Sequence, residues 1–495
     1  MLSVLIFLPL GGGFLVWLLL RTRPDRARLA AAALAIVELG LALLLWANAP
    51  ADGYYYEERA SWIPKFGIQY LLAIDGVSLM LIVLTAFITL IAVLVAWERI
   101  EDHWPLFGAL LLATEGALMG VFAALDLILF YVFWEMMLIP MYLMLVLWGD
   151  RGRIQAAVKF MMFTITGSLL LLVALVVLFI NHQQQGGIAT FDYFVLAQNP
   201  ITGDLGLWLL LGFLLAFAVK IPVVPLHVWA PDTYTEANPA VTIMLSGAMA
   251  NAGAYGIFRF CFPLFPEASA YLAPLGMALG AVGVIYAGLL ALVQEDIRRL
   301  VAYSSISHMG IVVLGLFAWQ RQSLNGVVVQ IVAHGLAVAG LFAVIAMLQQ
   351  RGKGRSFGDM GGLFRLLPRL GVLLLFFTLS GMALPGLANF AGEILVLAGS
   401  FTVSTLWATV ATFGIIVSVV YFLRMYERAM LGPLRADTEI SDIGGRETAT
   451  LVIIALAILW VGLYPTSFLS PIAQPVADLV GINPLQAGEV ASANR

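Results

Sequence analysis

Fourteen apolar runs make up most of this chain, each on the order of 20 residues, the length a helix needs to cross a bilayer. They fall at about 2–20, 29–48, 78–97, 105–125, 127–148, 157–180, 207–226, 240–262, 271–293, 300–319, 325–349, 370–399, 406–430 and 449–470. Only 11% of the 495 residues are charged and 62% are hydrophobic, with a mean hydropathy of +0.99; soluble domains carry about 25% charged residues. The pattern predicts an all-α polytopic membrane protein with about 14 transmembrane helices. The positive charges of the N-terminus follow the first apolar run instead of preceding it, so that run reads as a retained helix and not as a secretory signal. A single cysteine, Cys261, excludes internal disulfides and cysteine-held clusters. No phosphate-binding GxxxxGK[ST] loop occurs, and Gly352, Gly354 and Gly358 have the wrong spacing for a dinucleotide fingerprint. The chain is expected to bind no metal, nucleotide, nucleic acid or other cofactor itself.

An even number of spans puts both termini on one side. Eighteen Lys and Arg residues lie in the loops that follow odd-numbered spans, against Arg59, Lys65, Arg321 and Arg495 elsewhere. That bias places the odd loops in the cytoplasm and both termini in the periplasm. The loop 49–77, with Tyr54, Tyr55, Tyr56 and Trp62, is then external, and its aromatics suit an interfacial cap.

The stretch AFAVKIPVVPLHVWAPD, Ala216–Asp232, places a lysine inside the seventh apolar run with prolines directly after it. Pro222 cannot donate to the carbonyl of Ala218, nor Pro225 to that of Ile221, so the helix must open just past Lys220. Freed carbonyls and an ammonium at this depth require protein or a water-filled cavity around them. Span 12 breaks similarly: Pro385, in LSGMALPGLANFAGE, releases the carbonyl of Gly381. Interrupted spans at matching positions point to two inverted five-helix repeats, spans 4–8 and 9–13, with sites near the midplane. The expected divisions are 1–104 with the external loop, repeats at 105–262 and 271–430, and a C-terminal helix and tail at 431–495.

Lys159, Lys220 and Arg259 are the basic residues inside spans; Glu38, Glu115, Glu135 and Glu393 are the acidic ones. Glu135 lies mid-span in FYVFWEMMLIPMY, where Pro140 frees the carbonyl of Met136. Lys220 is its natural partner: proximity keeps both ionised, and separation favours loss of the lysine proton. The alternative is a static buried ion pair that only fixes helix packing. Lys159 either joins a relay or snorkels to the interface. His308 and His334 have the side chain suited to proton transfer near neutrality. Ser304 and Ser305 precede His308 by one turn on its own face. Glu393 is the expected end of a polar chain crossing from Lys220. His227 either admits protons or caps the broken helix. Arg259, Glu38 and Glu115 read as end-of-span or packing charges.

The motifs WIPKFGIQYLLAIDGVSLM, FYVFWEMMLIPMYLM, AVKIPVVPLHVWAPD, RRLVAYSSISHMG, VAHGLAVAGLF and LPGLANFAGE resemble the antiporter-like M (chain 4) subunits of bacterial NADH–quinone oxidoreductase, respiratory complex I. The resemblance covers nearly the whole chain. It implies a membrane-arm translocase subunit with inverted repeats in the bacterial inner membrane, beside subunits L and N. Quinone reduction elsewhere in the complex would drive proton pumping, with FMN, iron–sulfur clusters and quinone held by partner subunits. By that resemblance Glu135 and Lys220 are the coupled pair, Lys159, His308 and His334 belong to the central axis, and Glu393 is the residue of span 12. The competing class is an Mrp-type cation/proton antiporter subunit. The sequence departs from the pattern in span 8, where MANAGAYG puts Asn251 at the usual lysine, and in the loop PDTYTEANPAVT. Asparagine can hold water by hydrogen bonds but carries no proton at neutral pH, so Asn251 is expected either to bridge Lys220 and the histidines through water or to mark a divergent paralogue with impaired or rerouted conduction.

Overall fold

The computed structural model describes residues 1–50, 53–434 and 440–484; Arg435 and Arg495 of the charge count lie outside the described residues. Among the described residues, thirteen helices are long and apolar enough to cross a membrane. They are α1 (Leu2–Leu20), α2 (Pro24–Ala47), α3 (Gly76–Ala96), α4 (Trp104–Ala123), α5 (Leu127–Trp148), α6 (Arg153–Gln184), α7a (Gly203–Lys220), α8 (Pro239–Leu264), α9 (Pro266–Leu292), α10 (Ile297–Ala318), α11 (Arg321–Gln350), α13 (Thr405–Met430) and α14 (Gly445–Leu463). Two shorter apolar helices, α12a (Pro368–Gly381) and α12b (Ala388–Val403), supply the remaining span. The sequence places the spans correctly because a bilayer demands length and apolarity alone.

Two elements depart from the expectation. The loop 49–77 contains an antiparallel hairpin, β1 (Tyr55–Ile63) with β2 (Ile68–Ile74), in which Arg59 faces Leu71 and Ser61 faces Gln69. Gly67 turns it at φ 65, where an added Cβ would lie 1.8 Å from the carbonyl oxygen of Ala189. Beyond the break after Lys220 the chain also resumes as a helix, α7b (Trp229–Glu236), where the sequence had suggested a loop.

Helices α8, α10 and α11 are buried on nearly every side, whereas α1, α2, α13 and α14 expose most of their surface. A helix apolar all round belongs in such a core. Asp126 and Asp296 cap α5 and α10 in the same way, each side chain accepting two backbone N–H groups of the first turn. Helix α4 starts at the end where Trp148 Nε1 donates to the Asp102 carbonyl and Arg298 pairs with Asp150. Helix α9 starts at the opposite end, where Gly203 N donates to Glu267. The two five-helix blocks therefore run in opposite senses.

The two breaks share a hydrogen-bond pattern. Pro222 has no N–H for Ala218, so Val223 N reaches back to that carbonyl at 2.9 Å. This leaves the Val219 carbonyl to the Trp229 indole, 2.9 Å away. In span 12, Leu384 N reaches back to Leu379 in the same fashion at 3.1 Å. The offset that carries Ala218 onto Leu379 also carries Asp232 onto Glu393, giving the repeat a residue-level signature.

Candidate functional site

A chain of polar side chains crosses the core between the two broken spans. Ser246 Oγ on α8 lies 2.7 Å from Ser305 Oγ on α10, which lies 3.1 Å from His334 Nε2 on α11. The His334 and His308 rings are 5.7 Å apart between centroids. His308 Nδ1 lies 2.9 Å from Glu393 Oε1 on α12b, and Gln330 Nε2 donates to the same oxygen at 3.2 Å. All six residues are buried. His308 Nε2 and His334 Nδ1 have no hydrogen-bond partner, nor has Glu393 Oε2. Buried polar atoms left open in this way are ordinarily met by water. Hydroxyl, imidazole and carboxyl groups in this order can pass a proton without moving the backbone.

Lys220 is 1% exposed at the end of α7a, and its Nζ has no hydrogen-bond partner. The expected contact with Glu135 is not made: no oxygen of Glu135 lies within 4.0 Å of it. Lys220 Nζ instead lies 5.1 Å from the ring centroid of Trp134, the residue before Glu135, and 6.0 Å from that of Phe160. A cation over an aromatic face gains roughly 0.5–2 kcal/mol. Glu135 follows Trp134 directly on α5. It sits where α5 is interrupted at Met137, ahead of Pro140, and is only partly buried.

Lys159 stands apart from the central chain. Its Nζ lies 2.5 Å from Asp232 Oδ2 on α7b, and Arg299 takes the other Asp232 oxygen at 3.0 Å. The sequence could not show this pair because it took Asp232 for a loop residue. His227 is buried beside the break with its ring 5.4 Å from that of Tyr286, away from the chain. Asn251 Nδ2 donates to the Gly247 carbonyl at 2.8 Å, and its Oδ1 has no protein partner. Helix α8 departs from α-helical hydrogen bonding at Leu245–Met249 and again at Ile257–Cys261, two π turns. Such turns recur at functional sites. Gly253 lets α8 approach Lys220: an added Cβ would meet the Phe217 carbonyl at 2.6 Å and Lys220 Cβ at 3.1 Å.

Sequence reasoning missed Gln330 and Ser246 altogether. Glu38 and Glu115, read as end-of-span or packing charges, do not lie at span ends. Both are fully buried mid-helix, on α2 and α4, and none of their four carboxyl oxygens has a protein partner. Thr89 on α3 links this region to α8, its hydroxyl lying 3.6 Å from Met244 Sδ. No simple sequence signal separates a carboxyl facing the core from one facing a span end.

Against known proteins, the family described as NADH:quinone oxidoreductase/Mrp antiporter, TM, matches residues 124–418. The chain belongs to that family. The match takes in both breaks and every member of the central chain. Within this NADH:quinone oxidoreductase/Mrp family, subunit M of the NADH-quinone oxidoreductase of Pseudomonas aeruginosa is 41% identical over 490 residues, covering 96% of this chain and 95% of that protein. The Escherichia coli subunit M is 38% identical over 96% of this chain and 95% of its own length. A chain of respiratory complex I from Thermus thermophilus superposes with a TM-score of 0.89 at 32% identity, over 97% of this chain and 100% of that one. A chain of the Mrp complex from Dietzia sp. superposes at 0.85 but at 20% identity, which speaks to the shared fold alone.

Proposed function

We infer that this chain is a proton-translocating, M-type membrane-arm subunit of a bacterial NADH–quinone oxidoreductase. The observation that carries the reading is the buried chain Ser246–Ser305–His334, His308–Glu393, set between two broken spans with Lys220 at the first break. A purely structural membrane protein gains little from so many open polar atoms at this depth, since each unsatisfied group costs on the order of 1–3 kcal/mol.

In this reading Lys220 and Glu135 form the coupled pair. They come together and separate as the complex turns over; that Lys220 Nζ has no hydrogen-bond partner supports this. Lys220 delivers its proton towards Ser246, Asn251 holding the connecting water, and the histidines carry it to Glu393. Lys159 and Asp232 anchor α7b to α6 on the arginine-rich face, and His227 lines the approach to the break. FMN, iron–sulfur clusters and quinone reside in partner subunits, L- and N-type subunits lie alongside, and both termini face the periplasm of the inner membrane.

The test is NADH-driven proton uptake by sealed inverted membranes carrying Lys220→Ala, with NADH oxidation followed in parallel. Both rates fall together in assembled complex if the break is a pump element. Wild-type rates with the variant fully assembled would refute it. Sodium-dependent exchange without NADH would instead select the Mrp-type antiporter.

A further inference from the structure

We propose that Glu38 and Glu115 form a carboxyl pair in the N-terminal helices that binds and exchanges a proton, a site apart from the central chain. Both side chains are 0% exposed, and none of their four oxygens has a hydrogen-bond partner among the described residues. Glu38 lies on the inward stripe of α2, in line with Ala27, Ala31, Ala35 and Ala42, and α2 packs on α1, α3 and α4. Alanine fills the neighbouring turns of that stripe, so packing alone has no need of a carboxyl there.

The helix contacts set the two carboxyls at one depth. An added Cβ on Gly13 of α1 would meet Ala109 and Leu112 of α4, and one on Gly116 of α4 would meet Ile6 and Leu10. Helices α1 and α4 are therefore antiparallel, with Leu8 abreast of Gly116. An added Cβ on Gly12 would meet Leu34 of α2, so one turn further along that antiparallel pair Leu8 is also abreast of Glu38. Glu38 and Glu115 thus share a level on touching helices, both facing inward. No cation is placed to neutralise them. Helices α1 and α3 carry no Asp, Glu, Lys, Arg or His, and α4 carries Glu115 alone. On α2 the nearest basic residue is Arg28, about 15 Å away along the axis and held by Asp25 and the Ile100 carbonyl. The other elements against α4 bring Tyr131, Glu135 and Tyr142 on α5, Tyr255 and Arg259 on α8, and Tyr70 on β2; Arg259 is paired with Asp75, and the Tyr70 hydroxyl meets Ser3.

Two ionised carboxylates without a counterion at this depth are too costly to persist, through desolvation and mutual repulsion, so at least one is the neutral acid. Side by side, each is the other's partner: the O–H of one donates to an oxygen of its neighbour, directly or through one water. Release breaks one O–H bond and passes the proton to water, with no electrons transferred. The O–H that remains donates to the carboxylate left behind and spreads its charge over the pair. Uptake re-forms the broken bond.

The test reads the carbonyl stretch of protonated carboxyls by infrared difference spectroscopy, on purified whole complex taken from neutral to alkaline pH in ordinary and heavy water. Wild type is compared with Glu38→Gln, Glu115→Gln and the double variant, which keep the shape and remove the titrating group. Wild type should show a deuterium-sensitive acid band, absent from the double variant, that disappears in two steps at least roughly one pH unit apart. Each single variant should show one step. A wild-type titration equal to the sum of the two single variants makes the carboxyls independent and overturns the pair. An acid band that neither pH nor heavy water alters, or no difference between wild type and the double variant, overturns the exchangeable proton. A band that sodium ions remove at constant pH assigns the site to a metal cation instead. Leucine keeps the pairing testable if the glutamine variants fail to assemble. Either single leucine strands the other carboxyl and should lower assembled yield at least threefold, whereas the double leucine should recover at least half of it; losses that simply multiply overturn the pairing. Lys220→Ala bears on none of these outcomes, so the pair and the pump reading stand or fall separately.

Discussion

Ser305→Ala isolates the central chain from the rest of the fold. Within the central chain the Ser305 hydroxyl bridges Ser246 on α8 and His334 on α11, 2.7 Å from Ser246 Oγ and 3.1 Å from His334 Nε2. All three side chains are fully buried, so alanine strands a hydroxyl and an imidazole nitrogen where surface water cannot reach them. Each stranded group costs about 1–3 kcal/mol. If a like amount is added to the barrier for proton passage, the rate falls roughly 10- to 100-fold, at about 1.4 kcal/mol per tenfold. The removed volume is a single oxygen, so packing and assembly should survive. The control is Ser304→Ala one residue away, whose hydroxyl bonds only the Val301 carbonyl of its own helix. NADH-driven proton uptake and NADH oxidation in sealed inverted vesicles are measured for both, with assembly checked on native gels. Ser305→Ala should drop both rates at least tenfold while Ser304→Ala stays near wild type. Equal, near-wild-type rates would refute the claim that the chain conducts.

Two further substitutions test how the breaks are held. Gly253→Ala puts a methyl group 2.6 Å from the Phe217 carbonyl, which is backbone and cannot turn away; overpacking of about 1–3 kcal/mol should lower the thermal stability of purified complex, and pumping with it, because Lys220 moves. Trp229→Phe removes the indole that donates to the Val219 carbonyl at the break, and an assembled yield or melting temperature indistinguishable from wild type would show that water replaces the indole freely.

Span positions and both interruptions were legible because each rests on a local rule: enough apolar length, or a proline that cannot donate. Buried charge was legible as a list of residues but not as a set of partnerships. Ser304 and Ser305 both precede His308 by about a turn, yet Ser305 turns to His334 on another helix while Ser304 bonds its own. Lys159 could be read as a relay member or as a snorkelling charge, and only the helical course of α7b brings Asp232 to it. Arg259 read as an end-of-span or packing charge, with nothing to show that its partner is Asp75, far away in sequence and capping α3. The hairpin had a signal that loop length concealed, an aromatic-rich run, a Pro64 turn and then Gly67. Tertiary partnership is what local patterns leave open.

Asn251 decides whether the link from Lys220 to the serines runs through the protein at all. Its Nδ2 satisfies the Gly247 carbonyl within the first π turn of α8, and its Oδ1 has no protein partner. A carboxamide in that position can accept from water on one side while bracing the helix on the other. Asn251→Leu keeps a similar volume and removes both functions, so it should cost about 1–3 kcal/mol for the orphaned carbonyl and cut proton uptake several-fold. Asn251→Gln separates the two contributions, because its longer side chain keeps the amide chemistry but shifts both groups by a methylene. If the leucine variant assembles and pumps normally, water held at Asn251 carries no protons, and conduction must bypass α8 between Lys220 and Ser246. If leucine abolishes pumping and glutamine restores part of it, hydrogen-bonding capacity at this point, and not a titrating side chain, is what the link requires.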